Sequence, residues 1–195
     1  MSEAENLPAR MSVEEFLSWN PDDGLQWQLV DGEPRAMAPA SVPHGILQGE
    51  VLALLRNHFR AQGSRCFAVV APGVVPRVRA SQNVRVPDVA TSCAEHDRGA
   101  PTLSDPVLIV ELLSPSNHRE TWANVWAYTS IPSVQEVLVL HTVRIAADLL
   151  RRNPDGTWPA ETAPLTTGDV VLDNIGFRVP LAEIYQDTHL GARPA

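Results

Sequence analysis

A single acidic residue interrupts an apolar run in the middle of the chain. Residues 106–113 read Pro-Val-Leu-Ile-Val-Glu-Leu-Leu, so Glu111 is the only charged side chain among them. An apolar run of this length is typical of a strand covered on both faces, as at the centre of a sheet. An ionised carboxylate is costly in such a strand unless a cation or a donor meets it. The run therefore predicts a central strand with Glu111 at a functional site.

A second acid, Asp88, stands 23 residues earlier in the segment Asn-Val-Arg-Val-Pro-Asp-Val. Neighbouring strands lie about 4.8 Å apart, so the two carboxylates would be able to share one cation. Mg²⁺ is commonly held by one or two carboxylates together with waters and phosphate oxygens, and it activates a bound water. The alternative is structural: Asp88 would only end a proline-containing turn, and Glu111 would pair with a core arginine such as Arg144.

Length and composition indicate one domain of mixed α/β class. The 195 residues are enough to bury a core, and the 17 prolines favour short loops over long helices. We expect a single domain over residues 1–195 with short flexible termini. The N-terminus lacks the apolar segment of a signal peptide, and no apolar stretch is long enough to span a membrane. These features favour a cytoplasmic protein without a membrane partner.

All 15 basic residues are arginine, and the chain contains no lysine. The net charge of −8 argues against general nucleic-acid affinity. Residues 51–87, however, contain six arginines and no acid, which predicts either a local basic surface that binds phosphate or a set of solvated faces. The two cysteines, Cys66 and Cys93, lack metal-site spacing and are interpreted as reduced thiols.

Periodicity and turn residues predict the following elements in chain order. They are a capped helix over 12–19, a hairpin over 26–30 and 33–37, a long helix over 43–62, strands over 66–71, 74–78, 86–91 and 107–113, a helix over 117–129 capped by Asn117 and Glu120, strands over 134–140 and 143–150, and a helical turn at 180–185.

Five segments together carry a resemblance to a known family. They are residues 27–33 (WQLVDGE), 38–44 (APASVPH), 84–89 (VRVPDV), 110–116 (VELLSPS) and 128–134 (YTSIPSV). In this order they resemble the Uma-type restriction endonucleases of the PD-(D/E)XK nuclease superfamily. The resemblance spans about residues 13–190. It implies a restriction-endonuclease-like core, a mixed β-sheet flanked by helices, with an N-terminal helix and β-hairpin.

The same resemblance implies a set of site residues. Asp88 and Glu111 would hold Mg²⁺, with Mn²⁺ as a substitute, and His44 would contact substrate or water. Two positions depart from the family pattern: Gln28 stands where the family usually has Glu, and Asn124 stands where it usually has the catalytic Lys. Taken alone, a histidine before a helix is more often structural.

An asparagine at position 124 has no charge to offset negative charge that develops on phosphate. Loss of a charged donor typically costs about 10²–10³ in rate, so activity should be weak or absent unless an arginine substitutes. Arg119 is the nearest candidate in sequence, although its offset from Asn124 places it on another helix face. The alternative for Arg119 is plain solvent exposure.

Three functions compete at this point. The first is a Mg²⁺-dependent endonuclease that hydrolyses DNA, expected as a homodimer because cleavage of two strands needs two sites. The second is a catalytically degenerate nuclease fold that serves as a binding or dimerisation module. The third, a small ligand-binding protein, would need an apolar pocket with a few polar groups and ranks last.

Overall fold

This computed structural model describes residues 10–95, 97 and 99–191, which form nine strands, four α-helices and one 3₁₀ turn (Asp173–Ile175). The helices are α1 (Val13–Ser18), α2 (Val42–Ala61), α3 (His118–Tyr128) and α4 (Leu181–Ile184). The strands are β1 (Trp27–Val30), β2 (Glu33–Ala36), β3 (Phe67–Val70), β4 (Val89–Ser92), β5 (Pro106–Leu113), β6 (Glu136–His141), β7 (Ala147–Arg151), β8 (Asp169–Leu172) and β9 (Phe177–Pro180).

The main sheet has five strands in the order β3-β4-β5-β6-β7. The β5 and β6 strands run parallel and are joined by α3, whereas the other neighbours are antiparallel. The predicted central position of the strand that carries Glu111 is therefore confirmed, as is the mixed sheet flanked by helices. The β1–β2 and β8–β9 hairpins form two further small sheets.

Two apolar cores cover the two faces of the main sheet, because residues of β5 alternate between them. On one face, Leu108, Val110 and Leu112 pack with the buried side of α2. On the other face, Ile109 and Leu113 pack with the buried residues of α3. The two helices that deliver polar side chains to the site are thus anchored on opposite faces of one sheet.

The N-terminal elements form as their sequence predicts. Ser12 and Glu15 make both hydrogen bonds of a capping box at the start of α1. Asp31 and Gly32 adopt positive φ angles of 53° and 85°, which form the tight turn between β1 and β2. The peptide N–H of Met11 donates to the Gly32 carbonyl at 2.7 Å, so the N-terminal segment is fastened to this turn.

Three local predictions are wrong. Residues 74–78 form no strand and contribute only a bridge between Val74 and Arg85, since Pro76 cannot donate to a ladder. Asn117 makes no side-chain cap on α3 because its Oδ1 accepts from Ser114 instead. Glu120, expected to complete that cap, bonds to Gln28.

The cysteines are not reduced thiols: Cys66 and Cys93 form a disulfide. The β3–β4 register pairs Phe67 with Ser92, so the two cysteines are the next facing pair beyond the strand ends. Sequence spacing did not reveal the pairing, because it depends on this register.

No helix among the described residues is long and apolar enough to cross a membrane. The predictions for the extreme termini concern residues 1–9 and 192–195, which lie outside the described residues.

Candidate active site

The two acids predicted as metal ligands lie opposite each other on neighbouring strands. Val89 at the start of β4 pairs with Val110 of β5, so Asp88 and Glu111 are the next facing positions beyond the end of this ladder, and the charge of Asp88 acts on Glu111. Directly opposed residues of an antiparallel pair project to the same side of a sheet, with Cβ atoms about 5 Å apart. The structure therefore brings the carboxylates of Asp88 and Glu111 together.

Asp88 is held at each of its oxygen atoms. Its Oδ1 lies 2.7 Å from His44 Nε2, and its Oδ2 accepts the backbone N–H of Leu112 at 2.7 Å. Its own carbonyl accepts from Gln48 Nε2 at 2.9 Å and from the N–H of Ala71 at 3.0 Å. His44 and Gln48 are four residues apart on α2, so one face of that helix contacts Asp88 twice.

Glu111 is buried, with 5% of its surface exposed, and it accepts one strong hydrogen bond. The donor is the Tyr128 hydroxyl, 2.7 Å from Glu111 Oε1. Burial and the neighbouring negative charge of Asp88 raise the pKa of Glu111 well above its usual value, while the Tyr128 hydrogen bond acts in the opposite direction. Burial and the charge of Glu111 likewise raise the pKa of Tyr128. A bound divalent cation would relieve the repulsion between the two acids.

One face of α3 supplies three further site residues, because Glu120, Asn124 and Tyr128 recur every four residues. Glu120 Oε1 accepts from Gln28 Nε2 at 2.8 Å, which connects this helix to β1. Asn124 Oδ1 accepts from Arg85 Nη1 at 2.9 Å.

A cleft of about 710 Å³ opens over these side chains. Its polar lining includes Gln28, His44, Gln48, Asp88, Glu111, Ser114, Ser116, Asn117, Glu120, Thr121 and Asn124. Three of them are carboxylates, and no arginine is among the described residues that line it. Without a bound cation the cleft is therefore anionic, and a phosphodiester would be repelled from it.

The donor set fits a hard divalent ion of the Mg²⁺ type. Each carboxylate oxygen of Asp88 has one protein partner and therefore keeps a free lone pair. The Tyr128 hydroxyl bonds only to Oε1 of Glu111, so Oε2 also remains open. Both carboxylates can thus still accept a cation. No cluster of three or more His, Cys, Asp or Glu ligands occurs within the described ranges. Two carboxylates with waters and substrate oxygens nevertheless suffice for Mg²⁺.

All five residues predicted for the site line this one cleft. They are Gln28, His44, Asp88, Glu111 and Asn124. The alternative pairing of Glu111 with Arg144 is wrong, because Glu111 bonds to Tyr128 and Arg144 is exposed. Arg119 is exposed as well and does not line the cleft.

The arginines of residues 51–87 do not form one basic surface. Arg56 and Arg60 are exposed on α2, whose buried side packs on one face of the sheet. Arg77 lies by contrast beside the end of α3, on the other face, with its N–H bonded to Ser130 Oγ at 2.9 Å. Arg56 is also 12 residues beyond His44, or roughly 18 Å along the helix axis. Of the two alternatives for this stretch, separate faces therefore describe Arg56, Arg60 and Arg77 better than one local basic surface does.

Sequence reasoning missed three contributors: Gln48, Tyr128 as a donor, and Arg85. Gln48 follows His44 by four residues and Tyr128 follows Asn124 by four, so helical spacing carried a usable signal for both. The signal for Arg85 was weaker, because it consisted only of the position of this residue three residues before Asp88. Its contact with Asn124 depends on how α3 packs across the strands.

Comparison with known proteins identifies the family of the chain. Residues 13–180 match the Uma2 family, described as "putative restriction endonuclease", and the chain belongs to that family. This membership supports a nuclease function. An uncharacterized protein, slr1290, of Synechocystis sp. is 28% identical over 151 residues, which are 76% of this chain and 78% of that protein.

A solved structure shares the fold. It is the crystal structure of a "putative nuclease belonging to DUF820" from Anabaena variabilis, which superimposes with a TM-score of 0.71 at 14% identity. The match covers 90% of this chain and 98% of that chain. The predicted restriction-endonuclease-like architecture is thus confirmed.

Proposed function

We propose that this protein is a Mg²⁺-dependent endonuclease that hydrolyses phosphodiester bonds in DNA. The observation that carries the proposal is the facing of Asp88 and Glu111 at the floor of an open cleft. Two acids held this close, with the pKa of Glu111 raised, are costly to keep unless a cation is part of the working state. Family membership supports the same class of reaction.

Bound Mg²⁺ would supply an activated water and charge neutralisation at the phosphate. The side chains of the protein position the two acids and contact the substrate. His44 and the Leu112 N–H fix both oxygens of Asp88, and Tyr128 fixes Glu111, so the two acids present a preorganised ligand pair. Asn124 lies on the cleft wall, where an amide is able to donate to a phosphate oxygen or to a water.

The test is cleavage of a DNA duplex with and without Mg²⁺ or Mn²⁺. Asp88→Asn should abolish metal-dependent cleavage. Asp148→Asn is the matched control, because Asp148 also bonds a histidine, His141, at 2.8 Å but lies outside the cleft lining. If the Asp88→Asn variant cleaves DNA as fast per folded molecule as the wild-type protein does, the proposal is contradicted.

A second function is favoured by one observation: the described lining of the cleft contains acids but no arginine. A degenerate binding or dimerisation module would keep the fold without turnover. Calorimetry with Mg²⁺ and Mn²⁺ separates the two functions, because a site that takes up neither ion excludes the nuclease. Asn124→Lys should restore some cleavage only if the metal pair is intact.

Cleavage of both strands of a duplex needs two active sites, so we include a homodimer in the proposal. Sedimentation velocity with and without DNA tests it: a protein that cuts both strands together while remaining a monomer contradicts a dimeric enzyme.

A further inference from the structure

Arg85 is a buried cation with no bonded anion among the described residues. Only 7% of its surface is exposed, and it makes no ion pair with any described carboxylate. Its one side-chain hydrogen bond runs from Nη1 to Asn124 Oδ1, and its buried Nε has no partner in the described structure. Burying an unpaired charge is unfavourable, so its retention calls for a function.

The backbone of Arg85 is fixed on two sides. Its N–H donates to Val74 at 2.9 Å and its carbonyl accepts from Val74 at 2.8 Å. The preceding residue, Val84, exchanges two backbone hydrogen bonds with Leu29 of β1. Because Asp88 follows three residues later, the same anchored segment places both the guanidinium and the first metal-ligand candidate.

The bond from Arg85 determines how the Asn124 amide is turned. A guanidinium has only donors, so the atom of Asn124 that faces it must be the oxygen. The Nδ2 group is then left for the cleft that Asn124 lines, and it has no acceptor within the described residues. The cation also polarises the amide and makes its N–H groups stronger donors.

Gln28 keeps the guanidinium free of a carboxylate. Leu29 bridges to Val84, so the antiparallel register sets Gln28 opposite Arg85. Gln28 is neutral, it bonds to Glu120 through Nε2, and its buried Oε1 has no partner among the described residues. A glutamate there would pair with Arg85 and neutralise it.

We propose that Arg85 is a positioning residue that acts through Asn124: it locks and polarises the Asn124 amide so that Nδ2 donates to a phosphate oxygen of the nucleic-acid substrate. Arg85 itself does not line the cleft, so Asn124 makes the contact with phosphate. This inference rests on the proposed nuclease function for its substrate class, whereas its binding test does not require turnover.

The test compares Arg85→Gln, Arg85→Lys, Asn124→Ala and the double variant Arg85→Gln/Asn124→Ala. Binding of a short fluorescent DNA duplex is measured by anisotropy with Ca²⁺, and cleavage is measured with Mg²⁺. We expect Arg85→Gln to weaken duplex binding roughly 10-fold and to lower kcat roughly 10- to 100-fold, and Arg85→Lys to recover most of both. The double variant should be no worse than Asn124→Ala alone, because both changes remove one interaction.

Circular dichroism reports whether each variant is folded, and Mn²⁺ calorimetry reports whether the two acids still bind a cation. If Arg85→Gln does not fold, Arg85→Lys and Gln28→Glu replace it. Gln28→Glu should then weaken duplex binding, because a glutamate at this position would pair with Arg85. Unchanged binding in the charge-removing variants, or losses that add to that of Asn124→Ala, overturns the inference. If the variants show the coupled loss in duplex binding but the wild-type protein never cleaves DNA, the nuclease function is contradicted and the role of Arg85 is supported.

Discussion

Replacing Glu111 with glutamine should stabilise the metal-free protein at pH values at which the wild-type glutamate is ionised. The substitution keeps the shape of the side chain and an oxygen for the Tyr128 hydroxyl, but it removes one of two facing negative charges. Two charges about 5 Å apart at an effective dielectric constant of about 20 repel by about 3 kcal/mol. This sets an upper limit to the gain, equivalent to roughly 6 to 12 °C in Tm.

The gain should depend on pH with a definite sign. The pKa of Glu111 is raised in the folded protein, so between the ordinary carboxyl value of 4.5 and the raised value the folded state holds a proton that the unfolded state has lost. Wild-type stability should therefore fall as pH rises through this window, and the loss is complete above it. The Glu111→Gln variant lacks this loss, so its advantage should be absent at acidic pH and greatest at alkaline pH.

Glu136 provides a matched control for the same substitution. It is also buried, at 1% exposure, but it accepts from Arg151 Nε at 2.8 Å and from the N–H groups of Asp173 and Asn174. Its charge is thus compensated, and Glu136→Gln should destabilise the protein by about 2 to 4 kcal/mol.

Thermal unfolding from pH 5 to pH 9 in the presence of EDTA measures both variants. A Glu111→Gln protein that is less stable than wild type across the whole range would refute the electrostatic account. The same variant should lose the stabilisation that Mg²⁺ gives the wild-type protein.

Three further predictions concern the neighbours of this pair and the disulfide. Tyr128→Phe leaves Glu111 without its donor, so stability should fall by about 1.5 to 3 kcal/mol and the pH window should move upward, both read from the same thermal series; an unmoved window would count against the hydrogen bond. His44→Ala should weaken Mn²⁺ binding roughly 10-fold in calorimetry, because the imidazole holds Asp88, and an unchanged Kd would show that it does not. Reducing the Cys66–Cys93 disulfide, which spans 27 residues, should lower the free energy of unfolding by about 3 to 4 kcal/mol in urea titrations, and a reductant without effect would mean that the thiols are free in solution.

The central strand and its acid were predictable because burial leaves few alternatives. An apolar run over residues 106–113 is typical of a covered strand, and an ionised acid inside it is costly without a partner. The α1 cap, the β1–β2 turn and the long α2 helix also follow local rules, since their signals lie within a few residues of each other.

What the sequence did not predict depends on contacts between distant segments. Arg85 reaches Asn124 across 39 residues, and Cys66 reaches Cys93 only through the β3–β4 register. The arginines of residues 51–87 suggested a local basic surface, but charge along the sequence does not show which face of a sheet each arginine occupies. One arginine of that stretch, Arg85, is turned inward to the site.

A crystal soaked in Mn²⁺ and examined by anomalous diffraction tests directly whether Asp88 and Glu111 share a cation. We expect a single strong peak between the carboxylates of Asp88 and Glu111 in the wild-type protein, and its loss in Glu111→Gln crystals soaked in the same way. Wild-type crystals with no peak between these two side chains, or with Mn²⁺ bound only elsewhere on the molecule, would contradict this expectation.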